Sequence, residues 1–271
     1  MIWYVPRVNL ALPFSWPESD PLQDDALTGS FRVWQRQRGH RYSLDDVLTA
    51  RMALELRLPV TRYLDLGCGI GSVLLMVADG LGAAELVGIE AQEISFALAE
   101  QNIARNGLAD RVTLCLGDFR EPSEGGALDG LFDLITGTPP YMPLGSGTPS
   151  PDAQRAYARM EYRGGVEAYL GAIAARLAPR GRAVICADGR TPERVLEAAG
   201  AVGLCPILRQ DAYPRAGRES PLFTVWSVAW PGEGGELLTR PPFIARDAEG
   251  ERTAEYLALR ASFGLPAEAG A

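Results

Sequence analysis

Lysine is absent from this chain of 271 residues, so all 26 of its basic residues are arginine. The 34 acidic residues outnumber them and give a net charge of −8. An acidic chain argues against non-specific binding to nucleic acid, because such binding depends on neutralising phosphate charge. The total charge does not speak against a local cluster of arginines.

Histidine, cysteine and long apolar runs are also scarce. The single histidine, His40, lies in a polar stretch, and we predict a surface position for it. The four cysteines lack the spacing of metal ligands, so we expect no metal site and interpret them as buried free thiols in a reducing cytoplasm. No run reaches the roughly 20 apolar residues of a membrane span, and the first residues do not resemble a secretory signal. We therefore expect a cytoplasmic protein that does not enter the membrane.

Strand-like and helical patterns alternate along the middle of the chain. Strand-like runs occupy residues 62–66, 85–90, 112–116, 131–135 and 182–187, and two more follow near 204–209 and 221–230. The alternation predicts an α/β fold with a seven-stranded, mainly parallel sheet, covered on both faces and closed by an antiparallel hairpin at one edge.

The ends of the chain have a different character. Residues 1–30 show no period and are interpreted as an irregular arm, residues 31–42 as two short strands about a glycine, and residues 43–58 as a helix capped by Ser43. We predict that residues 1–60 form an N-terminal arm and capping helix, that 61–232 form the main domain, and that 233–271 form a tail packed on it. We predict no interdomain linker.

Three predicted strands end in residues suited to a nucleoside. The first is followed by the glycine-rich stretch Asp65-Leu-Gly-Cys-Gly-Ile-Gly71, where glycines allow a tight turn and close approach of a ligand. Glu90 closes the next strand, where its carboxylate can accept hydrogen bonds from a ribose diol. After the third strand, Asp118 and Phe119 suit the amine and the ring of adenine. The G-x-G-x-G spacing differs from the G-x-G-x-x-G fingerprint of dinucleotide sites.

At these motifs the sequence resembles the class I methyltransferases, which use S-adenosylmethionine. The resemblance implies a Rossmann-like fold and a set of cofactor-binding residues: Asp65, Gly67, Gly69, Gly71, Glu90, Asp118 and Phe119. A dehydrogenase is disfavoured by the glycine spacing and by the absence of an acid or base for a hydride site.

The fourth strand ends in Thr138-Pro139-Pro140-Tyr141, which is similar to the Asn-Pro-Pro-Tyr motif of amino-methylating members of that class. The resemblance implies a site for a planar amine, whose N–H groups are held by a side-chain acceptor and a proline carbonyl while the tyrosine ring stacks on the base. Thr138 departs from the motif: its hydroxyl is shorter than a carboxamide and can donate or accept. Related DNA amino-methyltransferases carry Ser or Asp at that place.

Two further stretches narrow the resemblance. Gln35 with residues 41–48, and the tail at residues 242–256, resemble bacterial enzymes that methylate adenine N6 in the anticodon loop of a valine tRNA. By this resemblance, which covers about residues 27–260, Asp45 lies near the amino-acid end of the cofactor; alternatively, it is only a helix-start charge. The implied partner is tRNA or another RNA. A glutamine side chain or a small-molecule amine, and a catalytically silent relative that binds RNA or a protein, stay open.

Arginines supply a candidate surface for RNA. Arg155, Arg159 and Arg163 recur every four residues and would share one face of a helix, where they could meet phosphates or simply be solvated. Arg209, Arg215 and Arg218 form a second candidate patch.

Overall fold

The computed structural model describes residues 16–82, 84–121 and 126–266. It begins with an antiparallel hairpin of β1 (Leu22–Ala26) and β2 (Arg32–Arg36), closed where the Thr28 hydroxyl accepts hydrogen bonds from the N–H groups of Ser30 and Phe31. The first fifteen residues of the predicted arm lie outside the described residues.

The remaining elements follow the predicted alternation. In chain order they are α1 (Leu44–Glu55), β3 (Arg62–Leu66), α2 (Ser72–Gly80), β4 (Glu85–Glu90), α3 (Glu93–Arg105), β5 (Val112–Leu116), β6 (Phe132–Gly137), α4 (Ala153–Arg159), α5 (Val166–Arg176), β7 (Leu177–Asp188), α6 (Glu193–Ala201), β8 (Cys205–Tyr213), β9 (Phe223–Ala229), β10 (Leu238–Thr239), β11 (Phe243–Ile244) and α7 (Ala254–Ser262). No helix in the described ranges is both long and apolar enough to cross a bilayer.

One large sheet organises the molecule, in the order β10-β8-β9-β7-β6-β3-β4-β5, with β11 also paired to β8. The strands β5, β4, β3, β6 and β7 run parallel, and β9 is antiparallel to both of its neighbours, β7 and β8. The mainly parallel sheet and its antiparallel hairpin are therefore confirmed.

The predicted number of seven strands is wrong, because this sheet has nine. The two additional strands, β10 and β11, come from the tail and contain two residues each, which is too short for an alternating pattern to be recognised. Two boundaries also differ. The first hairpin lies in residues 22–36 rather than 31–42, since its turn is built by Thr28. The strand predicted at 182–187 begins earlier, because β7 starts at Leu177.

Two apolar layers cover the sheet, as the alternation of side chains along β3 shows. Tyr63 packs in a cluster with α1 and α2, whereas its neighbour Leu64 packs in the other cluster with α5 and α6. The tail contributes Leu259 and Phe263 to the first cluster, and the Phe263 carbonyl accepts a hydrogen bond from Gly29 N–H at 2.7 Å. Of the four cysteines, Cys68 and Cys186 are buried, Cys115 is half-buried and Cys205 is exposed, which corrects the expectation that all four thiols are buried.

One buried side chain joins the hairpin to the parallel sheet. Asn102 of α3 accepts a hydrogen bond from Trp34 N–H at 2.7 Å and donates to the carbonyls of Trp34 and Ile70, each at 3.0 Å. Ile70 belongs to the glycine-rich stretch, so this amide fixes the hairpin against the loop after β3.

We therefore predict that Asn102→Ala lowers the free energy of unfolding by about 2–4 kcal/mol, because three buried hydrogen bonds are lost at once. Glu100→Ala, an exposed change on the same helix, should alter it by less than about 0.5 kcal/mol. Urea unfolding of both variants measures the difference. Equal stabilities would show that the amide does not hold the hairpin.

Candidate active site

The glycine-rich stretch turns sharply between β3 and α2. Gly67, Gly69 and Gly71 have φ values of +62°, +58° and +85°, which residues with a side chain rarely adopt. A Cβ on Gly67 would lie 2.4 Å from the Tyr169 hydroxyl, whereas a Cβ on Gly69 would meet no atom within 4 Å. Gly67 is thus required by packing, and Gly69 leaves open space above the loop for a ligand.

Glu90, at the end of β4, holds this loop from the side. Its carboxylate accepts hydrogen bonds from Gly69 N–H at 2.8 Å and from Gln92 N–H at 2.6 Å. Burial raises the pKa of Glu90, while these N–H groups act in the opposite direction. Each carboxylate oxygen retains a lone pair that can accept from the diol of a ribose.

A cavity lies over these residues and encloses about 850 Å³ of empty space, counted to its open mouth. Seven of the residues predicted from the sequence line it: Gly67, Gly69, Glu90, Asp118, Phe119, Thr138 and Pro140. Five others do not: Asp45, Asp65, Gly71, Pro139 and Tyr141.

Asp118 and Phe119, which follow β5, both line the cavity. Phe119 packs edge-on against Tyr169, with ring centroids 4.6 Å apart. The Arg120 guanidinium pairs with the Asp118 carboxylate at 2.5 Å and lowers its pKa, so this carboxylate stays ionised and able to accept from an exocyclic amine.

Asp65 lies beneath the loop instead of in the cavity. Tyr63 Oη and Thr136 Oγ1 are 2.6 Å apart, and Thr136 Oγ1 donates to Asp65 Oδ1 at 2.6 Å. Burial raises the pKa of Asp65 to about 7. Its second oxygen, Oδ2, is buried and meets no hydrogen-bond donor within the part of the chain that the structure describes. Asp65 supports the loop from below, and its predicted contact with a cofactor stays a prediction.

The Thr-Pro-Pro-Tyr turn comes directly after β6 and is fastened by the chain beyond it. Met142 N–H donates to the Arg159 carbonyl, and Glu161 N–H donates to the Met142 carbonyl, both at 3.0 Å. Thr138 and Pro140 face the large cavity, while Tyr141, Pro139 and Pro140 line a smaller one of about 220 Å³ beside it. The Tyr141 hydroxyl donates to Asp45 Oδ2 at 3.4 Å. Asp45 therefore faces the tyrosine.

His40, Asp46 and Tyr157 are among the cavity residues that were missed from the sequence. His40 lines the cavity, although we predicted a surface position for it, and burial lowers its pKa. It is drawn inward because its N–H donates to Gln154 Oε1 at 3.1 Å, a contact across 114 residues that no local pattern reveals. Asp46 and Tyr157 also line the cavity. The sequence pointed to Asp45, whereas the structure places its neighbour Asp46 in the cavity lining.

The arginine face predicted on one helix is wrong, because α4 ends at Arg159. Arg155 instead donates to the Gly39 carbonyl, and Arg163 lies 4.5 Å over the ring of Tyr157 and lines the cavity. Arg159 alone of the three keeps an exposed side chain. In the second patch, Arg209 pairs with Asp211 at 2.6 Å, and Arg215 donates to the carbonyls of Asp247 and Ala248.

Comparison with known proteins agrees with this geometry. Residues 59–186 match a family model described as a methyltransferase domain. A Bacteroides thetaiotaomicron tRNA1(Val) (adenine(37)-N6)-methyltransferase is 31% identical over 173 residues, which are 62% of this chain and 68% of that protein. A Porphyromonas gingivalis protein of the same name is 33% identical over 120 residues, so the matched part spans 44% of this chain and less than half, 46%, of that relative.

Other relatives differ in the name of their target. A release factor glutamine methyltransferase from Moorella thermoacetica is 32% identical over 145 residues, 51% of this chain and 50% of that protein. Among solved structures, an Agrobacterium tumefaciens protein described as a predicted O-methyltransferase superposes with a TM-score of 0.59 at 18% identity, covering 80% of this chain and 96% of that one. This likeness concerns the fold alone.

The chain belongs to the class I methyltransferases, whose cofactor is S-adenosylmethionine. Within that class, one relative bears the name of a tRNA adenine-N6 methyltransferase, and this chain matches 68% of that relative's length. The residues of the cavity fit the cofactor. Gly69 leaves open space above the loop, and Glu90 offers carboxylate lone pairs beside it. Asp118 and Phe119 line the same cavity.

We predict that Glu90→Ala weakens binding of S-adenosylmethionine by about 1–3 kcal/mol, because hydrogen bonds to a charged carboxylate are lost. Glu93→Ala, an exposed acidic residue three positions further on, should bind as the wild type does. Calorimetry with S-adenosylmethionine compares the two variants. We expect NAD to bind to neither variant. An unchanged affinity in Glu90→Ala would remove Glu90 from the cofactor site.

Proposed function

We propose that this protein methylates a planar amino group, and that its target is adenine N6 in an RNA, tRNA above all. The observation that carries the proposal is that Thr138 and Pro140, from the Thr-Pro-Pro-Tyr turn, line the same cavity as Gly69 and Glu90. The turn that suits an amine and the loop that suits the cofactor therefore share one space.

The residues at this turn would act by positioning. When bound, S-adenosylmethionine supplies a methyl group on a positively charged sulfur. The lone pair of an aromatic amine is delocalised into its ring, so the protein must draw the nitrogen toward tetrahedral geometry. The Thr138 hydroxyl and a proline carbonyl of the turn can each accept one N–H, and holding both reactants in place then supplies much of the rate gain. No strong base is needed, because the nitrogen becomes acidic once it carries the methyl group.

The rim of the cavity supports RNA as the carrier of the amine. The rings of Tyr157 and Tyr162 are 5.0 Å apart, and each residue is 41% exposed. Arg163 lies over one of these rings, and exposed Arg159 stands at the end of the same helix as Tyr157. Exposed aromatic rings with arginine beside them suit unstacked bases and their phosphates, the form in which single-stranded RNA is bound.

A second candidate target is the side-chain amide of glutamine in a protein. It is supported by the match of half of this chain to a release factor glutamine methyltransferase. An amide nitrogen is planar and carries two N–H groups, as the adenine amine does, so the same two acceptors could hold it. It has no ring to stack, however, and would leave the exposed tyrosines without a role.

The test is transfer of labelled methyl from S-adenosylmethionine into RNA, protein and metabolite fractions of a bacterial lysate. We expect label in RNA. Tyr141 lines the smaller cavity, which shares Pro140 with the large one, so a base stacked on its ring would occupy that smaller cavity. Tyr141→Ala should then lower single-turnover transfer roughly tenfold or more, because base stacking on an aromatic ring is worth about 1–3 kcal/mol, and should leave cofactor affinity unchanged. Tyr141→Phe should be mild, since the ring is kept. Label in protein alone would favour the glutamine alternative, and label in no fraction would refute the proposal.

Binding of the labelled RNA tests the rim separately. We predict that Tyr162→Ala weakens RNA binding by about 1–3 kcal/mol at any salt concentration, whereas Arg159→Ala lowers the slope of log affinity against log salt by about one. Arg180→Ala also removes one positive charge, but from an exposed residue near the start of β7, at the edge of the sheet opposite the cavity. It should leave the slope unaltered. Identical slopes for the wild type and the two arginine variants would place the phosphates elsewhere.

A further inference from the structure

Beside Thr138, the cavity contains a second acidic group that the proposed reaction has not used. Asp46, in the first turn of α1, is 7% exposed and lines the cavity together with Thr138 and Pro140. Its Oδ2 accepts a hydrogen bond from Ser43 N–H at 2.8 Å, which fixes the carboxylate. Its Oδ1 faces Thr138, and the Ser72 side chain is a further hydrogen-bond partner of the carboxylate.

The contact between these two side chains has a direction. Thr138 Oγ1 lies 3.5 Å from Asp46 Oδ1, and an ionised carboxylate can only accept, so the hydroxyl proton points to Asp46. The distance is long for an O–H···O hydrogen bond, as is common in active sites that hold no substrate, where contacts tighten on binding. A hydroxyl has one proton and two lone pairs, and with its proton engaged it presents the lone pairs to the rest of the cavity.

We propose that Asp46 is a positioning residue that turns the Thr138 hydroxyl into an acceptor for the N–H of the target amine. This inference rests on the proposed function and adds a residue to it. A threonine without an anionic neighbour could equally point its own proton at the amine and repel it. The contact with Asp46 fixes the direction of the Thr138 hydroxyl proton. Asp46 approaches from α1 and thereby compensates for a threonine side chain that is shorter than asparagine.

Protonation of Asp46 would reverse the arrangement. Burial, and next the charge of Asp45, raises the pKa of Asp46. The titratable groups around it come from several elements: Asp45 on α1, Asp65 on β3, Tyr141 after β6 and Cys186 on β7. None of these four adds positive charge, and burial lowers the pKa of His40, which lines the same cavity. At low pH the carboxyl group gains a proton that it can donate to Thr138, so the hydroxyl ceases to be an oriented acceptor and methyl transfer should slow.

A double-mutant cycle tests the pair by single-turnover methyl transfer with saturating S-adenosylmethionine. Asp46→Asn, which keeps the shape and the acceptor for Ser43, should lower the rate roughly tenfold or more in the presence of Thr138 or of Thr138→Ser. In the Thr138→Val background, which has no hydroxyl to orient, the same change should lower it by less than about threefold. Glu93→Ala, an exposed acidic residue on α3, serves as the comparison, and its effect should combine additively with Thr138→Val.

The outcomes separate the inference from the proposed function. An equal loss from Asp46→Asn in the wild-type and Thr138→Val backgrounds, or no loss at all, overturns the role of Asp46 while methyl transfer by the wild type stands. A wild type inactive on RNA, protein and metabolite fractions overturns the proposed function, and the inference falls with it. If Asp46→Asn does not fold, the pH profile decides: the wild-type rate should fall on the acidic side, and Thr138→Val should lack that fall. Identical profiles overturn the inference.

Discussion

The active site depends on the register of four parallel strands. Leu66 pairs with Ile89 on one side and with Gly137 on the other, and Glu90 pairs with Leu116, so β3, β4, β5 and β6 all end at the same edge. Parallel strands buried on both faces cannot slip by one residue without exchanging their apolar faces. The register therefore fixes the heights of the loop, of Glu90 and of the Thr-Pro-Pro-Tyr turn relative to one another.

This constraint explains why so much of the fold and site could be predicted from the sequence. A buried parallel strand is a short apolar run with a clear end, and the residues directly after that end must lie at the ligand edge of the sheet. Reading the residue after each run was enough to bring Gly69, Glu90, Asp118 and Thr138 to one place. Gly69 and Glu90 are even joined directly, by a hydrogen bond of 2.8 Å. The only rule required was that the carboxyl ends of parallel strands lie at the same edge of a sheet.

The features that the sequence could not predict are set by contacts between distant segments. His40 and Arg155 are placed by α4 and the segment after β2, where Gln154 Oε1 accepts from His40 N–H and the Gly39 carbonyl accepts from Arg155. Neither segment has a periodic pattern that identifies its partner. The choice between Asp45 and Asp46 depends on a rotation of α1 that only packing against the sheet decides. The two-residue strands β10 and β11 exist only because β8 offers them an edge.

The positions of acidic and basic side chains around the cavity bear on how one site could combine a negative lining with an anionic partner. The carboxylates of Asp46 and Glu90, which line the cavity, and that of Asp65, beneath its loop, are all buried, and burial raises the pKa of each. A cationic cofactor is favoured by such a lining, and its charge would in turn favour the ionised form of these groups. The arginines, in contrast, lie toward the rim, where Arg159 is exposed and Arg163 covers Tyr157. A net charge of −8 is thus compatible with the proposed RNA target, because these three acidic groups are buried at or beneath the cavity while Arg159 is exposed.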